Sequence, residues 1–261
     1  MPELPEVEEA MQRLKRAVEG KVIARAKALH PALLRQFPDA TARRVKQQRI
    51  VRIERRGKHQ LIHLANGSVL HAHFRMNGDW HLSTTGDPVD RFTRAEIELT
   101  DGTRIELNDS RALSALSLHR KGENPLPNLG IEANDPGLTA AYLKTALRAR
   151  RGPIKPALMD QKVIAGLGNI YAAEALWRSK ISARAVASSL TAPRLQRLVE
   201  AIHSVLEEEN RPPGRYTDVE GRDRFQVYDR EGEPCSRCGS LIKRIPQAGR
   251  STYFCPRCQR V

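Results

Sequence analysis

Apolar residues in the opening stretch recur with a helical beat. Val7, Met11, Leu14 and Val18 are spaced by four, three and four, and Gly20 stands beyond them as a stop. Pro5 suits the start of this helix, and Glu6, Glu8 and Glu9 put negative charge at its positive end. From residue 21 to about 118 the pattern becomes that of strands. Residues 61–65 and 68–74 flank Asn66-Gly67, and residues 95–100 and 103–107 flank Asp101-Gly102. Such dipeptides supply the positive φ of tight turns, so both stretches predict β-hairpins. The expected product is an antiparallel sandwich or flattened barrel with the first helix against it.

The stretch from Arg120 to Gly137 is rich in Pro, Gly and Asn and reads as a linker. Beyond it the helical period returns. Thr139 can cap a helix carrying Tyr142, Leu143, Ala146 and Leu147, and Asn169 one carrying Ile170, Ala173, Leu176 and Trp177. Thr191 precedes a third helix, with Leu195, Leu198, Val199, Ile202, Val205 and Leu206 as its apolar face. After Asn210 the chain turns irregular. The predicted fold class is α+β and multidomain: a catalytic sandwich at 1–120, a linker at 121–137, a helical domain at 138–224 and a cysteine module at 225–261.

Charge narrows the choice of partner. Lys and Arg number 44 against 30 Asp and Glu, a formal charge of +14, which suits a polyanion whose counterions are released on binding. The first twenty residues hold no continuous apolar stretch of the signal-peptide kind. No run approaches the roughly 18 residues of a membrane helix. The expectation is a cytoplasmic monomer with no membrane contact.

All four cysteines lie in two pairs, Cys235-x2-Cys238 and Cys255-x2-Cys258, separated by sixteen residues. Two such knuckles joined by a hairpin present four thiolates to one zinc ion. Four thiolates leave no coordination site for water, so the expected Zn2+ is structural. Lys243, Arg244, Arg250 and Tyr253 lie between the knuckles, placed to grip phosphate. His59, His63, His71, His73 and His81 also gather in the β region, but no Asp or Glu completes an evident ligand set with them.

Two further constellations carry chemistry. Gly166 and Gly168 allow a tight turn before Asn169 opens a helix, whose free N–H groups would suit a phosphate, with Lys155 within reach. At the start, removal of Met1 would leave Pro2 with a free secondary amine. Such an amine titrates near 8 or below, and a helix N-terminus lowers it further, so much of it is nucleophilic at neutral pH. Glu3 and Glu6 beside it are candidate acid–base groups.

These three constellations, in this order, resemble the formamidopyrimidine-DNA glycosylase and endonuclease VIII family over essentially the whole chain. The resemblance implies a β-sandwich with Pro2 at its edge, a helix–two-turn–helix domain, a zinc ribbon, and DNA in the cleft between the halves. It casts Pro2 as the Schiff-base nucleophile, Glu3 as the acid assisting ring opening, and Lys58 as a phosphate-binding lysine that aids elimination. Asn169 and Arg250 resemble phosphate clamps, Lys155 a lysine near the pocket, and Arg150 a basic DNA-contacting position. Met76, Arg111 and Leu113 would fill the gap left by a flipped base. Asp109 reads as a turn residue positioning Arg111.

Leu113 stands where oxidised-purine enzymes carry phenylalanine, Ala112 where a second basic residue is common, and Phe92 where a DNA-contacting histidine is frequent. The 212–226 stretch is shorter than the loop that caps an oxidised purine. The expected activity is that of a bifunctional DNA glycosylase/AP lyase acting on duplexes with damaged bases or abasic sites, formamidopyrimidines and 8-oxoguanine first. An oxidised-pyrimidine enzyme of the endonuclease VIII type is the nearest alternative, and a non-catalytic sensor of kinked DNA is another.

Overall fold

The computed structural model describes residues 1–209 and 225–260. The irregular stretch expected after Asn210, the 212–226 segment up to residue 224 and the boundary expected at 224 lie outside the described residues. The chain divides into two compact units, Met1–Pro127 and Asn128–Val261.

The first unit opens with helix α1, Leu4–Val18, which buries Leu4, Val7, Ala10, Met11, Leu14 and Val18 along one face. Strands follow at Ile23–Ala28 (β1), Ile50–Arg56 (β2), His59–Leu64 (β3) and Val69–His73 (β4), then Asp79–Thr84 (β5), Thr93–Leu99 (β6), Thr103–Asn108 (β7) and Ala115–His119 (β8). They form two four-stranded antiparallel sheets, β1-β6-β7-β5 and β2-β3-β4-β8. Ile97, Ile105 and Leu107 of one sheet, Ile53, Ile62, Leu70 and Leu116 of the other, and the buried face of α1 share one core. The sandwich with a flanking helix is therefore present.

Both expected hairpins form where the turn dipeptides stand. Gly67 and Gly102 take φ of +81° and +85°, while Asn66 and Asp101 accept the N–H of Ser68 and Thr103 at 3.0 Å. Between β1 and β2, where the pattern had suggested only strands, the chain forms two short helices, α2 (Pro31–Leu34) and α3 (Asp39–Val45). Pro31 opens the first, the His30 ring accepts the Ala32 N–H at 3.2 Å, and Leu33 and Val45 turn into the core.

The second unit begins inside the expected linker. Residues Ile131–Glu132 (β9) pair in parallel with Ile164–Ala165 (β10), and Ala133 is fully buried. Helices follow at Ala140–Leu147 (α4), Ile154–Met159 (α5), Asn169–Arg178 (α6) and Ala192–Glu209 (α7). The Thr139 hydroxyl caps α4 by accepting the Tyr142 N–H at 3.2 Å. Leu195, Leu198, Val199, Ile202, Val205 and Leu206 of α7 are all buried, as their spacing predicted. One expectation moves by a residue: Gly168 is the N-cap of α6 and Asn169 its first helical residue. The Asn169 side-chain oxygen takes a different donor, described below. The unit closes with the hairpin of Lys243–Gln247 (β11) and Arg250–Phe254 (β12), whose inner residues pack with Ala173 and Trp177 of α6. No helix among the described residues is long and apolar enough to cross a membrane.

Candidate active site and zinc centre

In the first unit the chain start is built around a reciprocal cap. Glu3 is the N-cap of α1: its carboxylate accepts the Glu6 backbone N–H, and the Glu6 carboxylate accepts the Glu3 N–H at 2.7 Å. Glu3 is only 1% exposed. Two orphan donors of the first turn are thereby satisfied, and both carboxylates are locked beside the amine end. The N-terminal ammonium, carried by Met1, is held below its usual value near 8. Burial is the main cause, and the charges of Lys58 and Arg111 push the same way, while Glu3 and Glu6 oppose them.

Lys58 belongs to this group by construction. It sits in the β2–β3 turn after Gly57, whose φ of +59° is one that glycine adopts at no steric cost, and it is 5% exposed. Arg55 ties that turn to α1, donating to Glu8 at 2.6 Å and to the Gly57 carbonyl at 2.9 Å. Glu8 was read in the sequence only as a first-turn acid, and Arg55 was not singled out; a pair between a helix and a strand leaves no local pattern to read.

Register places the proposed gap-filling residues at the same sheet end. His73 pairs with both His59 and Ala115, so the Lys58 turn, the Arg75–Met76 turn after β4 and the Leu113 loop before β8 adjoin one another. Met76 and Leu113 are exposed at 39% and 47%, an uncommon state for large apolar side chains on neighbouring turns. The Leu113 loop is templated by Asp109, itself 1% exposed. Its carboxylate accepts the backbone N–H of Arg111 at 3.0 Å and those of Leu113 and Ser114 at 2.7 Å. Ala112 takes φ +52° between them, turning the Arg111 side chain outward to an exposed position. Phe92 lies under two guanidinium groups, with Arg91 4.5 Å and Arg94 5.9 Å from its ring centre.

His59, His63, His71 and His73 occupy the face of β3 and β4 that points away from the core, where His119 of β8 joins them. His59 Nδ1 and His71 Nε2 are 2.8 Å apart, and the His73 Nδ1 accepts the Arg75 N–H at 2.9 Å. Burial, then the neighbouring His59, pushes His71 down to about 4 and His73 to about 3, so both rings are neutral. His63 pairs instead with Glu54 at 2.7 Å, and His81 stands exposed on β5.

In the second unit, Lys155, Asn169 and the zinc hairpin meet. The Lys155 ammonium donates to Asn169 Oδ1 at 2.6 Å, to the Ser251 carbonyl at 3.0 Å and to Thr252 Oγ1 at 2.9 Å. Arg250 begins β12 after a turn in which Ala248 and Gly249 have φ of +47° and +72°, and its side chain is exposed. Arg150 is engaged by Asp160 at 2.7 Å. Glu174 escaped the sequence reading although it is the lone acid of α6. It is 2% exposed, and it accepts the backbone N–H groups of Gln226, Val227 and Tyr228 at 2.9 Å, anchoring the approach to the cysteine module.

Cys235, Cys238, Cys255 and Cys258 bring their four sulfurs within 4.8 Å of one another. The Cys238–Cys255 and Cys235–Cys258 separations of 3.5 and 4.0 Å bracket the about 3.8 Å expected between ligands of a tetrahedron with Zn–S near 2.3 Å. Gly239, at φ +70°, donates to the Cys235 carbonyl at 2.8 Å and closes the first knuckle. The donor set fits one structural Zn2+ with no position left for water.

Comparison with known proteins agrees with this anatomy along the whole chain. Residues 1–116 match the formamidopyrimidine-DNA glycosylase N-terminal domain, residues 129–212 its H2TH domain and residues 232–261 the zinc finger found in FPG and IleRS. The chain is 38% identical to formamidopyrimidine-DNA glycosylase of Ruegeria pomeroyi, covering 100% of both, and 36% identical to that of Bacillus cereus, covering 99% of both. It superposes with a TM-score of 0.92 on MutM in complex with carbocyclic 8-oxo-G-containing DNA, and of 0.90 on Lactococcus lactis Fpg bound to DNA with an abasic site. Each is 29% identical and covered in full. A catalytic-type sandwich, an H2TH segment and a zinc finger in one continuous match leave a single assignment: the chain belongs to the formamidopyrimidine-DNA glycosylase family of base-excision-repair glycosylase/AP lyases.

Proposed function

We propose that this enzyme excises oxidised purines, formamidopyrimidines and 8-oxoguanine, from duplex DNA through an imine formed on Pro2 after Met1 is removed. The observation that carries the reading is the surroundings of the amine terminus: buried, flanked by Lys58 and Arg111, and set between two carboxylates locked by their own cap. An amine so placed loses its proton more readily than one in water, which makes it a nucleophile at neutral pH.

The steps follow from ordinary bond accounting. The Pro2 nitrogen lone pair bonds to C1′, and the bond from C1′ to the damaged base breaks, the base leaving with the proton that the nitrogen gives up. Glu3 protonates the ring oxygen as the sugar opens, and the nitrogen–carbon bond becomes an iminium without further proton loss, because proline is a secondary amine. The iminium acidifies C2′; loss of a C2′ proton expels the 3′ phosphate in β-elimination, with δ-elimination as a further step. Lys58, Asn169 and Arg250 bind phosphates around the lesion, while Met76, Arg111 and Leu113 occupy the space the flipped nucleotide vacates. Arg150 contributes a further basic contact.

Preference for oxidised purines is supported by Met76 and Arg111 and by the ligands of the similar structures, 8-oxo-G in MutM and Fapy-dG in L. lactis Fpg. Borohydride trapping on an abasic duplex, with the N-terminal mass measured in parallel, tests the chemistry. Protein lacking Met1 forms a covalent adduct, and the Pro2→Gly variant, whose terminal amine is primary, traps more slowly; processed protein that neither traps nor nicks abasic DNA overturns the reading. A lesion panel tests the base: cleavage confined to thymine glycol or 5-hydroxycytosine would instead indicate an oxidised-pyrimidine enzyme.

A further inference from the structure

Lys155 is the most deeply buried lysine of the second unit, at 1% exposure on α5. An ammonium withdrawn from water costs several kcal/mol unless acceptors surround it. Here they come from two separate elements. Asn169 Oδ1, at 2.6 Å, belongs to the first residue of α6, and the Ser251 carbonyl and Thr252 Oγ1, at 3.0 and 2.9 Å, follow Arg250 directly on β12. A residue expected to reach toward DNA is instead enclosed by protein.

We infer that Lys155 is a positioning residue that makes no contact with DNA: it orients the Asn169 amide and holds the Arg250 strand in step with it. This rests on the assignment of Asn169 and Arg250 as phosphate clamps. The amide of asparagine is planar, with one accepting and one donating end. With its oxygen captured by the ammonium, the two Nδ2 donors of Asn169 are turned away from Lys155, at a helix start where backbone N–H groups also lack intrahelical partners. The same ammonium fixes the backbone one residue after Arg250, so both clamps take their setting from a single buried charge.

The test is a double-mutant cycle on zinc-loaded enzyme, reading affinity for a duplex with a tetrahydrofuran abasic analogue across a salt series. Asn169→Ala is expected to weaken binding about tenfold, and Lys155→Met by a similar factor. The double variant should be no more than about twofold weaker than either single one, because a residue acting through Asn169 has nothing left to position. The slope of log affinity against log salt should be unchanged in Lys155→Met, whereas loss of a direct phosphate contact lowers it by about 0.9. Thr252→Val, which removes one acceptor and leaves the ammonium in place, should give a smaller loss that Asn169→Ala also absorbs. Zinc content and melting temperature identify a variant that has failed to fold, in which case the Thr252→Val arm decides. Additive losses, or a reduced salt slope, would overturn the inference while leaving the clamps intact. Unchanged binding in Asn169→Ala would remove the clamp assignment itself, and the inference with it.

Discussion

The Glu6 carboxylate accepts the backbone N–H of Glu3 at 2.7 Å, and the Glu3 carboxylate returns the bond to the Glu6 N–H. This pair does two things at once. It supplies the helix start with the acceptors it lacks, and it fixes two carboxylates beside the amine end of the chain. Those charges raise the affinity of the amine for its proton; burial, Lys58 and Arg111 lower it, and the balance lies on the low side.

The pH dependence of trapping follows with a definite sign. Attack needs the neutral amine, so the rate rises with pH through the amine pKa and levels above it. Lys58→Met removes a charge that lowers that pKa, and the rising limb should move to higher pH. Glu3→Gln removes the largest charge that raises it, and the limb should move to lower pH, although the plateau also falls by about 10²-fold or more through loss of the acid. Single-turnover trapping of the processed protein between pH 5 and 9 reads both. Limbs moving the other way would show that the amine is not the titrating group.

Asp109 offers a separate test, because its carboxylate templates the loop that carries Arg111 and Leu113. Three backbone N–H groups lose their acceptor in Asp109→Ala, one of them buried and two partly buried. Each unsatisfied buried donor costs about 1–3 kcal/mol. The variant should lose about 2 kcal/mol of stability in thermal unfolding. Its excision of a damaged base should fall more, about 10²-fold, than its nicking of a ready-made abasic site, where the helix is already gapped. Equal losses on both substrates would mean that the loop plays no part in extrusion.

What was legible in the sequence divides along physical lines. Caps and tight turns are local: Asn66-Gly67, Asp101-Gly102 and Thr139 announce themselves because the residue that needs the special backbone or donates the cap sits in the turn itself. The cysteine knuckles are legible for the same reason. Helices α2 and α5 span four and six residues, too short for a period to emerge, and each is held by what it packs against. Lys155 and Glu174 were opaque for another reason. A charge in a sequence reads as a surface charge, and only the fold reveals that three acceptors or three backbone donors have been gathered around it. The α6 cap lies one residue earlier than expected, at Gly168, and the Asn169 oxygen accepts from Lys155 instead of capping the helix.

Glu174 yields a stability prediction confined to the second unit. Its carboxylate, fixed on α6, accepts three successive N–H groups at the segment leading to Cys235. Glu174→Ala strands those donors in a buried setting and should cost about 3 kcal/mol or more. Hydrogen exchange at Val227 and Tyr228 should accelerate by two orders of magnitude or more, while Ile62 and Leu70 in the sandwich core keep their protection. Glu174→Gln retains one acceptor oxygen and should recover part of the loss. Exchange that accelerates equally in both units would indicate global unfolding and would refute a local anchor.

The zinc hairpin and the proposed phosphate clamps are linked through defined atoms. Four thiolates within 4.8 Å repel one another unless a cation neutralises them, so removing the ion should open the hairpin. Opening it displaces Arg250 and withdraws the Ser251 and Thr252 acceptors from the buried Lys155 ammonium. The expectation is one zinc per chain by mass spectrometry under native conditions. Chelator treatment, or Cys258→Ser, should weaken affinity for the abasic-analogue duplex at least a hundredfold. The chemistry proposed for Pro2 belongs to the other unit, so the weakened complexes that do form should still be trapped by borohydride at saturating DNA. Zinc-free protein that binds DNA as tightly as the loaded enzyme would separate the metal from recognition and leave it a role in folding alone.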